Sequence, residues 1–262
     1  MGQYIDIGIN LMHRSFSADR KEVTRKASEA GVYPLIITGT NLRSSKTASD
    51  YASRNKEIYS TAGVHPHDAK TCDDMTIEQL RQLSRQPKVV AIGECGLDYD
   101  RDFSPRDVQR KWFEKQIQLT ISENMPLFLH ERAAFVDFNA ILLSYKEICD
   151  RAVVHCFTGI RDELHAYLNL GCYIGITGWI CDQRRGMTLR GIVKDIPSDR
   201  LMIETDSPFL LPKNLDKRPA ENRNEPLFLP HIAAEIAACR GEPLERLAEE
   251  TTANAKRFFR IN

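Results

Sequence analysis

KVVAIGECGLDYD, residues 88–100, runs from an apolar string straight into a carboxylate, Glu94, and on toward a long amphipathic stretch at 106–123. A strand buried on both faces reads as a nearly continuous apolar run, and a parallel neighbour then needs a crossover, usually a helix. The same unit recurs along the chain. YIDIGI (4–9), VYPLIIT (32–38), IYSTAGV (58–64), MPLFLH (125–130), AVVHC (152–156), CYIGIT (172–177) and RLMIET (200–205) are the other apolar runs, with amphipathic segments between them. Eight β-α units predict an α/β chain closed into a (β/α)8 barrel of TIM type. An open doubly wound sheet would call for a glycine-rich phosphate loop after the first strand, and DIGINLMHRSF holds no G-x-G-x-x-G.

The helical segments carry the matching period. In RDVQRKWFEKQIQLTISE (106–123), Val108, Trp112, Ile117 and Leu119 fall near helical spacing with charges opposite. Gly31, Pro87, Pro126, Gly171 and Pro197 punctuate the joins, and 226–258 reads as two helices split around Gly241 and Pro243. At 262 residues the chain fits a single barrel domain spanning 1–262.

Composition narrows the function classes. Hydrophobic residues make up 42% and charged residues 27%, the balance of a globular enzyme with a large core. Thirty-six basic residues meet 36 acidic ones, so no overall positive field draws in a polyanion and any nucleic-acid contact must be local. Seven cysteines show neither C-x-x-C pairing nor zinc-finger spacing and read as reduced thiols. No stretch is apolar enough to span a bilayer, and MGQYIDIGIN lacks the pattern of an export signal. A cytoplasmic monomer without membrane contact is expected.

In barrel enzymes the chemistry sits at the C-terminal ends of the strands. The runs here end in GVHPHD (63–68), IGECGLDYD (92–100), FLHER (128–132), VHCFTG (154–159) and ETDSP (204–208), each with a His, Asp or Glu. One histidine at a strand end is commonly a buried structural residue, but Glu94, His130 and His155 at matching depths would converge as imidazole and carboxylate ligands for Zn2+, Mn2+ or Mg2+. Asp206 is the candidate fourth ligand and general base, the alternative being a cap before Pro208; Glu204 is placed to orient ligands from behind. His65 and His67 could approach a metal, touch a substrate phosphate or anchor their loop, and substrate contact is the favoured reading. The irregular stretch 210–226 follows the last strand and carries Lys213, Lys217, Arg218 and Arg223.

Together DIGIN, GVHPHD, AIGECGLDY, the histidine of FLHER, HCFTG, IGITGW, IETDSP and RNEP resemble, in order and along nearly the whole chain, the TatD-type metal-dependent deoxyribonucleases, within the amidohydrolase-like barrel enzymes and closest to the bacterial members. The resemblance implies magnesium-dependent removal of nucleotides from the 3′ end of single-stranded DNA or RNA, with a role in repair or nucleic-acid turnover. It implies Glu94, His130, His155 and Asp206 as metal positions. The chain departs from the family where a D-x-H-x-H stretch is usual: Asp6, Gly8 and Asn10 stand there, so both histidines are missing. That loss favours one firmly held cation with a weak second, and tilts the choice toward Mg2+ or Mn2+ over a tight di-zinc site, with Mg2+ the expected ion and Mn2+ or Zn2+ the alternatives.

Arg132 could fork onto a phosphate or pair with Glu131 or a helix acid, and Arg223 in RNEP is expected to contact substrate. Trp179 or Phe209 could stack a base. The mechanism implied is attack of metal-activated water on the terminal phosphodiester, with Asp206 taking the proton. Two other readings share the residues: an amidohydrolase acting on a small amide or ester, and a nucleic-acid-binding barrel without catalysis.

Overall fold

A computed structural model describes residues 3–262. Strands β1 (Tyr4–Ile9), β2 (Val32–Ile37), β3 (Ile58–Ala62), β4 (Val89–Asp98), β5 (Leu127–Arg132), β6 (Ala152–Val154), β7 (Tyr173–Ile176) and β8 (Leu201–Ile203) form one sheet in chain order. Helices α1 (Arg20–Glu29), α2 (Leu42–Ala52), α3 (Thr76–Ser84), α4 (Arg106–Glu123), α5 (Phe135–Ser144), α6 (Arg161–Asn169) and α7 (Met187–Ile192) intervene, and α8 (Leu229–Arg240) and α9 (Leu244–Phe259) close the chain. The strand order, the parallel pairings and the alternation are those of a (β/α)8 barrel. No helix among the described residues is long and apolar enough to cross a membrane. All seven cysteines are free.

The chain divides into two compact units. The first comprises Met1–Ile37, Cys156–Leu164 and Ile174–Asn262. Within it β1 pairs with β2, and Ile174–Ile176 of β7 pairs with β8. The chain just after β8 returns to β1: Thr205 N–H donates to Asp6 Oδ1 at 2.9 Å and Asp206 N–H to Gly8 O at 2.9 Å. All of β1 is buried, which explains its continuous apolar run and puts Asp6 under desolvation. Helices α8 and α9 meet at Gly241, whose φ of 68° closes α8 in the left-handed region that glycine adopts without penalty.

The second unit comprises Thr38–His155 and His165–Tyr173. Here β3, β4, β5 and β6 pair in parallel. Strand β4 runs five residues past the apolar run that sequence reading assigned to it, because Glu94 through Asp98 stay buried and keep pairing with β5. Between Ile92 and Cys95 three steps on β4 face two on β5, so β4 carries a bulge around Gly93 and Glu94. Gly96 has φ +145°, and a Cβ there would collide with the backbone carbonyl of His130. Only glycine lets β4 lie this close to β5 beside the bulge.

Helix α4 matches the sequence expectation in extent, but its inner face is rotated: Val108 sits at the margin while Gln109, Trp112, Phe113, Gln116, Ile117 and Thr120 are buried. The two glutamines belong inside because each clamps a strand end. Gln116 accepts from Val64 N–H at 2.8 Å and donates to Val64 O at 3.0 Å. Gln109 does the same for Asp98, at 2.9 and 3.1 Å. A primary amide is matched to this task, presenting one acceptor and two donors to a lone peptide group. Gln116→Leu keeps the volume but strands a buried N–H and C=O, and is expected to destabilise the chain by about 2 kcal/mol; an unchanged urea-unfolding midpoint would refute the clamp.

Candidate active site

Two buried imidazoles and one half-buried one converge on one carboxylate oxygen in the second unit. Glu94 Oε1 lies 2.8 Å from His155 Nε2, 2.9 Å from His130 Nδ1 and 3.4 Å from His65 Nε2. Glu94 comes from the β4 bulge, His130 from β5, His155 directly after β6, and His65 three residues beyond β3. Backbone bonds fix the approach: Glu94 N–H donates to Gly39 O and His155 N–H to Leu129 O. The His155 ring packs against Phe128 at 4.6 Å.

Burial by itself raises the Glu94 carboxyl, but charge interactions with His155 and His65 and hydrogen bonds from His130 and His155 outweigh it and hold the group well below the ordinary carboxylate value. His65 is pulled down to about 4, chiefly by burial and against the attraction of Glu94. For His130, burial works downward, yet hydrogen bonds to Asp98 and Glu94 prevail and its pKa lies above the ordinary value.

Asp98 is a site residue that the sequence reading did not single out. Its Oδ2 lies 3.3 Å from His130 Nε2 and 2.8 Å from His67 Nε2, while Oδ1 accepts from Asp100 and Arg101 N–H. Burial pushes its carboxyl up, but the bonds from His130 and His67 pull it far below the usual range. His130 therefore stands between two carboxylates, with Asp98 behind it to orient the ring, an arrangement typical of metal-binding histidines. The signal was available: Glu94, Gly96 and Asp98 alternate along one strand and so share a face.

The donor set fits a divalent cation. One ligand atom each from His65, Glu94 and His130 lies within 4.8 Å of the others, and His155 shares the same Glu94 oxygen. Geometry separates His65 from the rest. It caps the 3₁₀ turn Pro66–Thr71, and its Nδ1 accepts His67 N–H at 3.1 Å. The proton of the neutral ring then sits on Nε2, making His65 a donor toward the cluster rather than a lone-pair ligand.

Asp206 belongs to the first unit, just past β8, with φ 52°. Asn10, at the second of the missing histidine positions, donates from Nδ2 to Asp206 Oδ1 at 2.9 Å. Asp6 is completely buried, accepts from Gly8 N–H and from the Thr205 amide and hydroxyl, and is raised to about 7, mainly by burial. Glu204 Oε1 accepts Cys156 N–H at 2.6 Å, which steadies the backbone next to His155.

The arginines have protein partners. Arg132 Nε lies 4.0 Å from Asp100, while Glu131 accepts from Ala134 N–H and Tyr167 OH. Arg223 forks onto Asp19 at 3.0 and 2.6 Å, also reaches Glu225 and Ser15 O, and lies over the Phe16 ring. It ties residues 15–19 to the loop after β8. Trp179 donates to Arg185 O, and the Arg185 guanidinium lies 4.5 Å from the ring centre. Lys213, Lys217 and Arg218 are exposed.

The family model of the TatD related DNases matches residues 5–260. The chain belongs to that family. It is 48% identical over 257 residues to the 3′-5′ ssDNA/RNA exonuclease TatD of Klebsiella pneumoniae (strain 342), covering 98% of both chains. The protein of the same name from Escherichia coli K12 is 48% identical over 256 residues, again with 98% of each covered. Among solved structures, a TatD homologue from Escherichia coli K12 superposes with a TM-score of 0.91 at 26% identity, over 99% of this chain and 98% of that one. Within this TatD-related chain, Glu94→Gln removes the charge on which the imidazoles converge. The wild type should melt higher on adding Mn2+ or Mg2+ and the variant should show little or none of that shift; equal metal-dependent shifts would rule Glu94 out as a ligand.

Proposed function

We propose that this chain is a metal-dependent 3′-5′ exonuclease that hydrolyses the terminal phosphodiester of single-stranded DNA and RNA. The observation that carries the reading is the buried Glu94 carboxylate faced by His130, His155 and His65, in a chain 48% identical to a TatD exonuclease over 98% of its length. A cluster of this kind can hold a divalent cation and act on a charged phosphodiester. The 3′ ends of single-stranded DNA or RNA are the partner, with a place in repair or nucleic-acid turnover.

Glu94, His130 and His155 would hold the cation, Asp206 is the fourth ligand that the sequence assigns to it, and Mg2+ is favoured over Mn2+ or Zn2+. The ion, when bound, neutralises charge on the phosphoryl oxygens and makes water more acidic. Asp98 keeps His130 turned toward Glu94 by accepting from its far nitrogen. His65 gives its Nε2–H to a phosphoryl oxygen, a role its turn-fixed ring supports. Asp206 accepts the proton of the attacking water, its carboxylate oriented by Asn10. With Gly8 bare and Asn10 bonded to Asp206, a second cation is held weakly. Arg132 steadies the phosphate chain beyond the cleaved bond, and His67 and Arg223 act through the loops they tie down.

The test is digestion of 5′-labelled single-stranded oligonucleotides. With Mg2+ the products should form a ladder shortening from the 3′ end, and EDTA should abolish it. His155→Ala should be inactive, and duplex ends should be poor substrates. Asp206→Asn should lower kcat by about 10²–10⁴-fold, as expected for loss of a general base, with KM changed far less. Internal cuts, or a ladder that survives chelation, would overturn the assignment.

A further inference from the structure

Phe209 is a large apolar side chain left 49% exposed, three residues beyond Asp206. Its main chain is nevertheless tightly held. Phe209 N–H donates to Asp206 O at 3.0 Å, and Phe209 O accepts from Asn224 Nδ2 at 2.7 Å. Asn224 is completely buried, and it also donates to Thr205 O and Pro208 O. The backbone on both sides of the ring is therefore fixed, while the ring itself gains little from folding.

A second ring stands against it. His13 meets Phe209 edge-on, with centroids 5.5 Å apart and planes at 66°. Asn10 N–H donates to Ser207 O at 2.8 Å and His13 N–H to Asn10 O at 2.9 Å, which joins the exit of β1 to the exit of β8. His13 Nδ1 accepts Ser15 N–H at 3.2 Å, so its proton lies on Nε2, as in the His65 turn. Phe16 beneath the turn is fully buried, and Arg223 holds Ser15 O from the other side.

We infer that Phe209 and His13 form a preorganised ledge on which the base of the 3′-terminal nucleotide stacks. The inference rests on the nuclease reading and deepens it. Phe209 supplies the flat apolar face, and His13 forms a side wall with an N–H donor at its edge. The hydrogen-bonded turn from Asp206 to Phe209 fixes the ledge three residues along the chain from the proposed proton acceptor. Every base has a π-face, so such a grip accepts any sequence and demands an unpaired end.

The experiment uses the full chain with Mg2+ and two 5′-labelled oligonucleotides, one ending in an ordinary nucleotide and one in an abasic tetrahydrofuran unit. Wild type should show a KM about tenfold higher on the abasic end, the scale of one lost base–aromatic stack. Phe209→Ala should raise KM to a similar extent on the ordinary end and leave the abasic end unchanged, with kcat little affected. Phe209→Tyr should restore wild-type behaviour, and His13→Ala should show the same base-dependent pattern at smaller size. Equal losses on both ends, a fall in kcat alone, or no change would overturn the ledge while leaving the nuclease reading intact. Failure of the wild type on both ends would overturn both.

Discussion

The interaction on which this protein depends is the placing of one buried carboxylate oxygen, Glu94 Oε1, against imidazoles from three other strand ends. An ionised carboxylate removed from water costs several kcal/mol unless positive charge or good donors meet it. The second unit meets that cost with side chains from β3, β5 and β6, so folding itself assembles the cluster. The same convergence of carboxylate and imidazole donors is the kind that would suit a divalent cation, which would take the place of the shared protons.

Around that oxygen the second unit is built to limit freedom. Gln109 and Gln116 fasten the backbone at Asp98 and Val64 from one helix, Gly96 admits β4 against β5, and Asp98 fixes the far side of His130. Each fixes the aim of a group in the cluster, and the two glutamines also satisfy buried peptide groups. In the first unit the corresponding care is spent on Asp206, whose Oδ1 accepts from Asn10 Nδ2.

Much of this was legible in the sequence, for definite reasons. Strands buried on both faces write themselves as apolar runs, so all eight strands and the break at Gly241 could be read directly. Glu94, His130 and His155 stood out because a charge or imidazole ending such a run has no packing reason to be there. Asp98 escaped notice because the apolar run breaks at the bulge, which concealed how far β4 continues. The buried glutamines of α4 escaped as well, since polarity placed them on the wrong face of the helical wheel. The engagement of Arg223 with Asp19, 204 residues away, depends on contacts that no local pattern encodes. The tautomer of His65 likewise appears only once its turn is seen.

The bulge in β4 has an implication for how this chain can vary. Side chains alternate along a strand, so the extra residue between Ile92 and Cys95 changes the parity of everything that follows. Deleting it would turn either the apolar segment before it or Asp98 after it toward the opposite side. A loop elsewhere in the molecule can lengthen or shorten with little penalty, but β4 cannot change its length by one. Insertions and deletions are therefore excluded from this strand by geometry, and the spacing from Glu94 to Asp98 is as constrained as their identities.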